Sequence, residues 1–359
     1  MIRVLVVEDS PVIRDFLIHI LSSDPQVQVI GTARDGIEAL AALERLRPHV
    51  ITMDIQMPNM DGIEATRRIM EAYPTPIVIV SGSASTREAT TAVKAMDAGA
   101  LAIVQRPTGI GHHDHSETVA ELVQTVKLMS EVKVVGRRSY HRPGRTGQPF
   151  LPSAELRVRP SSGNIKVVVI GASTGGPPVL LTILSGLPKD FSVPLLIVQH
   201  MAPGFISAFA EWLAQGSVLP IHVASHGELI LPGHVYMAPD GFHMKMRGNG
   251  RISLTEEEPK NGLRPSVSHL FRSAADVCGS NAIGVLLTGM GKDGAEELKL
   301  MKERGAITIA QDKESSVVNG MPGEAVHLAA ATYVLSPERI PMALQTLVNG
   351  NRAGLNEAL

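Results

Sequence analysis

Residues 166–176 read KVVVIGASTGG. Lys166 to Gly171 form a near-continuous apolar run, the pattern of a strand covered on both faces. A turn of small residues follows, and then a helix. Strand, tight turn and helix together are the repeating unit of an open parallel sheet, whose ligands bind at the carboxyl edge of the strands. The turn satisfies two motifs. A dinucleotide site, Gly-x-Gly-x-x-Gly, needs a second glycine where the backbone meets a pyrophosphate; this chain has Ser173 there. The same letters fit Gly-x-Ser-x-Gly, a turn that presents a serine above a helix N-terminus.

Reading outward, the alternation continues towards the C-terminus through strands over 195–199, 235–238, 283–288 and 306–310, and ends near Val348. Towards the N-terminus it is interrupted. Residues from about Glu131 to Gly163, including RRSYHRPGRTGQPFLP, are rich in Pro, Gly, Ser and Arg without periodicity, which reads as a solvated basic linker. Before it lies a second alternating set. Strands are expected over 3–7, 27–33, 50–54, 77–81 and 102–105, and a helix over 11–22, where Val12, Ile13, Phe16, Leu17, Ile20 and Leu21 recur at helical spacing. The tail NGNRAGLNEAL is polar and expected to fray.

Composition narrows the function. The 359 residues are 44% hydrophobic and 19% charged with a net charge of −2, which gives no electrostatic footprint for nucleic acid or a membrane surface. Aromatic residues make up 3%, too few for a base-stacking platform. The start, MIRVLVVEDS, lacks the basic segment and cleavage site of a signal peptide, and no apolar run reaches the roughly 18 residues of a membrane helix. One cysteine, Cys278, leaves no internal disulfide and suits a reducing compartment. A soluble, cytoplasmic protein without membrane insertion is expected.

Two constellations carry chemistry. Glu8 and Asp9 end the first strand and Asp54 the third, so three carboxylates converge at one sheet edge. Converging carboxylates need a cation, and all-oxygen donors suit Mg²⁺. An aspartate held on that ion can attack a phosphoryl donor, and Ser81, ending the next strand, can hydrogen-bond the transferred group. In the other half, Ser173 needs a base and an orienting acid. The order Ser, Asp, His nominates Asp240 with His269 or His327. The alternative pair is His200, ending the strand PLLIVQH, and Asp293 in LLTGMGKDG, both at the edge that carries Ser173. Backbone N–H groups at Thr174 and near Met290 are placed to hold an oxyanion. The histidines of GHHDHSE (111–117) read as loop residues, His243 and His269 as structural, and EEEPK (256–260) as a solvated loop.

VLVVEDS, MDIQMPNMDG and IVIVSG closely resemble the response-regulator receiver family. The resemblance implies that Asp54 is the phosphoacceptor and that Glu8, Asp9 and Asp54 hold Mg²⁺. Two positions depart from the family pattern: Arg106 stands where receivers carry a switch lysine, and Ile103 where an aromatic is frequent. A planar guanidinium does not replace a compact ammonium at a phosphoryl group without consequence.

GASTGG, IVQHM, APDGFHM, RPSVSHLFRSAA and LLTGMGKDG resemble the chemotaxis protein-glutamate methylesterase family. That resemblance implies Ser173 as nucleophile, His200 as general base and Asp293 as orienting acid, with Asp240 at a position where glycine is common. It further implies hydrolysis of glutamyl methyl esters on chemoreceptor cytoplasmic helices, deamidation of receptor glutamines, a chemotaxis histidine kinase as phosphodonor, no nucleic-acid partner, and no cofactor for the esterase step. The expected fold class is α/β, two doubly wound parallel-sheet domains: a receiver-like flavodoxin-type fold over 1–123, a linker over 124–163, and a Rossmann-like esterase domain over 164–350.

Overall fold

The computed structural model describes residues 1–82, 86–109, 111–112, 114–132, 134 and 164–350. The basic segment RRSYHRPGRTGQPFLP and the tail after residue 350 lie outside the described residues. The chain divides into two compact units, with the division between Arg157 and Val158.

The first unit runs β1 (Ile2–Val7), α1 (Pro11–Ser22), β2 (Val27–Ala33), α2 (Gly36–Leu46), β3 (Val50–Met53), α3 (Gly62–Ala72), β4 (Ile77–Ser81), α4 (Thr86–Ala98), β5 (Ala102–Gln105) and α5 (His115–Met129). The strands form one parallel sheet in the order β2-β1-β3-β4-β5. Central β3 and β4 are buried throughout, as strands covered on both faces must be. Local chemistry starts the helices. Pro11 stands in the first turn of α1. Asp35 and Asp61 cap α2 and α3 by accepting the N–H groups of Glu38 and Glu64. Helix α5 extends to Met129, past the 123/124 boundary expected from the sequence, because Leu122, Val126 and Met129 are fully buried at helical spacing.

The second unit runs β6 (Val167–Ala172), α6 (Gly176–Ser185), β7 (Leu195–Gln199), α7 (Ile206–Gly216), β8 (Ile221–Val223), β9 (Val235–Met237), β10 (His243–Met246), β11 (Ile252–Thr255), α8 (Val267–Cys278), β12 (Ala282–Leu286), α9 (Ala295–Glu303), β13 (Ile307–Gln311), α10 (Met321–His327), β14 (Tyr333–Leu335) and α11 (Ile340–Asn349). Seven strands form a parallel sheet ordered β14-β13-β12-β6-β7-β9-β8. An antiparallel hairpin, β10–β11, stands apart from it. Val167, Val169, Leu196 and Val198 pack with Leu270, Phe271, Leu298 and Met301 in one buried cluster, so α8 and α9 cover that face. Alternation along the strands sends Val168, Ile170, Leu195 and Ile197, also fully buried, to the opposite face. Each such side chain contributes about 1.5–3 kcal/mol by leaving water.

The order of the second sheet explains the site. β6 lies between β12 and β7. Their carboxyl ends therefore bring the segments after residues 172, 199 and 286 to one edge.

Candidate active site

Ser173 is the first residue beyond β6. Its N–H donates to Thr288 O at 3.0 Å, and its carbonyl accepts the Gly176 N–H at 2.8 Å, which closes the turn into α6. Gly175 takes φ +77° there, and a Cβ on it would lie 2.5 Å from Val317 Cβ, so this position excludes side chains twice over. Gly289 supports the serine from behind: a Cβ at 289 would sit 2.7 Å from Ser173 Cβ. Thr288 Oγ1 donates to Thr174 O at 2.9 Å and accepts the Val318 N–H at 3.0 Å, tying the serine turn to the segment after β13.

His200 follows β7, and its N–H donates to Ala172 O at 2.9 Å. Between these strand ends lies Gln199, 3% exposed, whose Nε2 donates to Ser173 O at 2.9 Å and to His200 O at 2.7 Å. One buried amide thus fixes both backbones. The sequence signal for it was a lone amide closing the apolar run LLIVQ, adjacent to His200.

Asp293 is 4% exposed on the turn between β12 and α9. Its Oδ2 lies 3.0 Å from His200 Nε2 and accepts the Val267 N–H at 2.7 Å. Oδ1 accepts the hydroxyls of Ser266 at 2.8 Å and Ser268 at 2.6 Å. The carboxylate therefore caps α8, where free N–H groups and the helix dipole favour a negative charge. Burial alone would raise its carboxyl, but the His200 hydrogen bond and charge, with the Ser268 and Ser266 hydroxyls, hold it well below the usual carboxylate range. With Nε2 donating to Asp293, His200 keeps Nδ1 as its basic nitrogen.

The structure thus brings Ser173, His200 and Asp293 to one sheet edge and joins the last two directly. Among the described residues no hydrogen bond links Ser173 Oγ to His200, and none takes up the N–H of Thr174 or Met290. The rival acids and bases have other partners. Asp240 accepts the Gly204 N–H at 2.8 Å. His327 is exposed in α10. His243, fully buried, accepts the Ser266 N–H at Nδ1 and donates from Nε2 to Glu258 O. His269 stacks on it with ring centroids 3.8 Å apart, and burial followed by the charge of His243 pushes it down to about 4. His243 is thus a hydrogen-bonded support for Ser266, and so for Asp293.

In EEEPK, Glu256 to Pro259 form the exposed loop expected of them, but two of its charges are paired. Glu257 pairs with Lys245, and Lys260 Nζ reaches Glu297 Oε1 at 2.7 Å, a carboxylate 1% exposed. Local composition hides this, because the partner lies 37 residues away in the chain.

In the first unit, Glu8, Asp9 and Asp54 bring carboxylate oxygens within 4.8 Å of one another, the one such group of three or more potential metal ligands among the described residues. The cleft around them is also lined by Ser81 and Arg106. Glu8 is pushed up to about 7 by burial and then by the charge of Asp54; Asp54 is raised too, chiefly by burial. Glu8 Oε2 is buried without a hydrogen-bond partner. Acceptors alone, crowded and one of them orphaned, fit a hard divalent cation such as Mg²⁺. The Arg106 guanidinium folds over Gly82, near enough to lower both raised carboxyls. Ile103 is half-buried on β5. In GHHDHSE, His115 Nδ1 lies 2.6 Å from Thr108 O and His112 lies 3.7 Å from Asp114; His113 is outside the described residues.

Comparison with known proteins places both halves. Residues 168–344 match the family model described as CheB methylesterase, and residues 4–113 the response regulator receiver domain. The chain is 58% identical over 349 residues to the protein-glutamate methylesterase/protein-glutamine glutaminase of Nitrosospira multiformis, covering 97% of each. It belongs to this methylesterase family. A second member, protein-glutamate methylesterase/protein-glutamine glutaminase 1 of Syntrophus aciditrophicus, is 54% identical over 347 residues, covering 97% of this chain and 98% of the relative. The methylesterase family resemblance therefore extends across both units. No described helix is long and apolar enough to cross a membrane.

Proposed function

We propose that this chain is a phosphorylation-regulated protein-glutamate methylesterase and protein-glutamine glutaminase, with Ser173 as nucleophile, His200 as general base and Asp293 as its orienting acid. The observation that carries the reading is the His200–Asp293 hydrogen bond, formed at the sheet edge where the β6 turn presents Ser173. His200 Nδ1 takes the Ser173 hydroxyl proton as Oγ bonds to the γ-carbonyl carbon of a glutamyl methyl ester. The free N–H groups of Thr174 and Met290 are the donors for the resulting oxyanion. His200 returns the proton to the departing methoxy oxygen, so methanol leaves and an acyl-Ser173 remains. Water, deprotonated by His200, then releases glutamate and restores Ser173. A glutamine side chain follows the same path with ammonia as the leaving group. These steps draw on side chains and backbone alone.

In the receiver, Glu8, Asp9 and Asp54 would hold Mg²⁺, which supplies charge neutralisation at a transferring phosphoryl group. Asp54 accepts the phosphoryl group from a chemotaxis histidine kinase, Ser81 hydrogen-bonds it, and Arg106 meets its charge. The receiver spans 1–123 with α5 continuing to Met129, the linker runs to residue 163, and the catalytic domain spans 164–350. The substrate is a methylated chemoreceptor's cytoplasmic helices, which places the enzyme in the cytoplasm. The test is methanol release by the full chain from a methyl-esterified chemoreceptor fragment, with and without acetyl phosphate. Release that rises with the phosphodonor supports the reading, and no release in either condition rejects it.

A further inference from the structure

Ser268 has one hydroxyl proton, yet its Oγ lies 2.6 Å from Asp293 Oδ1 and also 2.6 Å from Glu297 Oε2. Its accepting side is engaged by the Gly294 N–H at 3.2 Å. A serine hydroxyl donates once. Whichever carboxylate lacks the proton faces an oxygen lone pair at close range, in a setting where Ser268 is 2%, Asp293 4% and Glu297 1% exposed. Burial makes that competition expensive, since the three side chains are almost wholly withdrawn from solvent.

The surroundings of Glu297 bias the outcome. Its Oε1 accepts Lys260 Nζ at 2.7 Å and Arg272 Nη2 at 2.9 Å. Glu297 also sits in the first turn of α9, on the favourable end of the helix dipole. Among the described residues Glu297 Oε2 accepts from the Ser268 hydroxyl alone, whereas Asp293 Oδ1 is also met by the Ser266 hydroxyl at 2.8 Å and the Ser268 N–H at 3.2 Å, so Glu297 holds the stronger claim on the Ser268 proton. We propose that Glu297 is a positioning residue for the esterase triad: through the shared Ser268 hydroxyl, and under the hold of Lys260 and Arg272, it sets how strongly Asp293 binds the His200 imidazole.

The proposal rests on the triad assignment above and deepens it. The charged groups facing Glu297 are Lys260 from the loop before α8, Arg272 from α8 and, beyond Ser268, Asp293. His243, on β10, reaches Asp293 through Ser266. Lys292 and Glu296, beside the turn, are exposed. Glu297→Gln deletes an anion, leaves two cations unbalanced, and frees the Ser268 proton for Asp293. The lost negative charge and the freed proton both disfavour the His200 imidazolium. Lys260→Met acts oppositely: Glu297 then competes harder for the Ser268 proton, and Asp293 is left with more charge to offer His200.

The experiment titrates the His200 ring by NMR in the ¹⁵N-histidine-labelled full chain, alongside the pH profile of kcat/KM for methanol release from a methyl-esterified chemoreceptor fragment. Glu297→Gln is expected to move the His200 titration and the acidic limb of the profile to lower pH by about one unit, the size of effect a nearby charge exerts. Lys260→Met, at a partly exposed lysine, is expected to move both to higher pH. A merely structural Glu297 would lower kcat through lost folded protein and leave both midpoints in place, which overturns the proposal. Shifts in the same direction for the two variants overturn it as well. Opposite NMR shifts in a chain that releases no methanol would uphold the coupling while rejecting the triad reading.

Discussion

His200 Nε2 meets Asp293 Oδ2 at 3.0 Å, so the ring nitrogen left to take a proton is Nδ1. Asp293 is fixed by the N-terminus of α8 rather than by its own turn alone, since Ser266, Val267 and Ser268 all donate to it. Orientation of the base is thus built into the docking of α8 against the β12–α9 turn.

Asp293→Asn is expected to lower kcat strongly, because an amide nitrogen cannot accept what Oδ1 or Oδ2 now accepts. One of the donors at α8 would face a second donor, at a stability cost of about 1–3 kcal/mol. Methanol release and urea denaturation measure the two effects. A variant equally active and equally stable would show that Asp293 neither orients His200 nor caps α8.

Gly289→Ala places a methyl group 2.7 Å from Ser173 Cβ and 2.3 Å from Met321 Sδ. Met321 can swing aside, but the serine turn cannot move without disturbing its bond to Thr288 O. A displaced nucleophile costs on the order of 10²-fold in kcat. The check is kcat beside an unchanged far-UV spectrum; kcat within a factor of two of wild type would show that the turn tolerates the displacement.

Much of this arrangement was legible in KVVVIGASTGG, PLLIVQH and LLTGMGKDG, because a buried parallel strand and its glycine turn are local patterns. The strands over 27–33, 77–81, 102–105 and 195–199 coincide with the expected spans. What escaped depends on distant contacts. The β10–β11 hairpin, short β8 and edge strand β14 are brief and only partly apolar. Lys260 looked solvated because nothing near it announces Glu297, and nothing in the local sequence marks Ser266 and Ser268 as partners of Asp293. Helix α5 runs to Met129, just short of the Pro- and Gly-rich composition that begins near Glu131, because Val126 and Met129 are spaced for burial, so the expected 123/124 boundary falls inside it.

Glu8→Gln is expected to stabilise the first unit when Mg²⁺ is chelated. Glu8's folded value, about 7, lies above its ordinary 4.5. Below 4.5 both folded and unfolded states hold the proton, and the variant gains little. Between 4.5 and 7 the unfolded state ionises first, so wild type loses stability as pH rises, and the penalty is complete above about 7. Thermal melts in chelator at pH 8 should show the variant higher by about 3 °C or more, a gap that closes by pH 4. Added Mg²⁺ should raise the wild-type melting temperature and leave the variant's nearly unmoved. Equal melts at pH 8 would mean that the three carboxylates carry no strain.

Asp54→Asn should make methanol release indifferent to acetyl phosphate. Arg106→Lys combined with Ile103→Phe should widen the phosphodonor response of the full chain, since a compact ammonium and an aromatic ring replace a guanidinium folded over Gly82 and a half-buried isoleucine. An unchanged response in the double variant would show that these two positions do not limit the switch.

The central claim is that Ser173 is the nucleophile. Methanol release from a methyl-esterified chemoreceptor fragment, measured for wild type and Ser173→Ala at matched folded concentration, tests it most directly. A loss on the order of 10³-fold or more is expected, because the oxyanion donors and binding surfaces survive while the attacking oxygen does not. Release by a well-folded Ser173→Ala chain at near the wild-type rate would contradict the account.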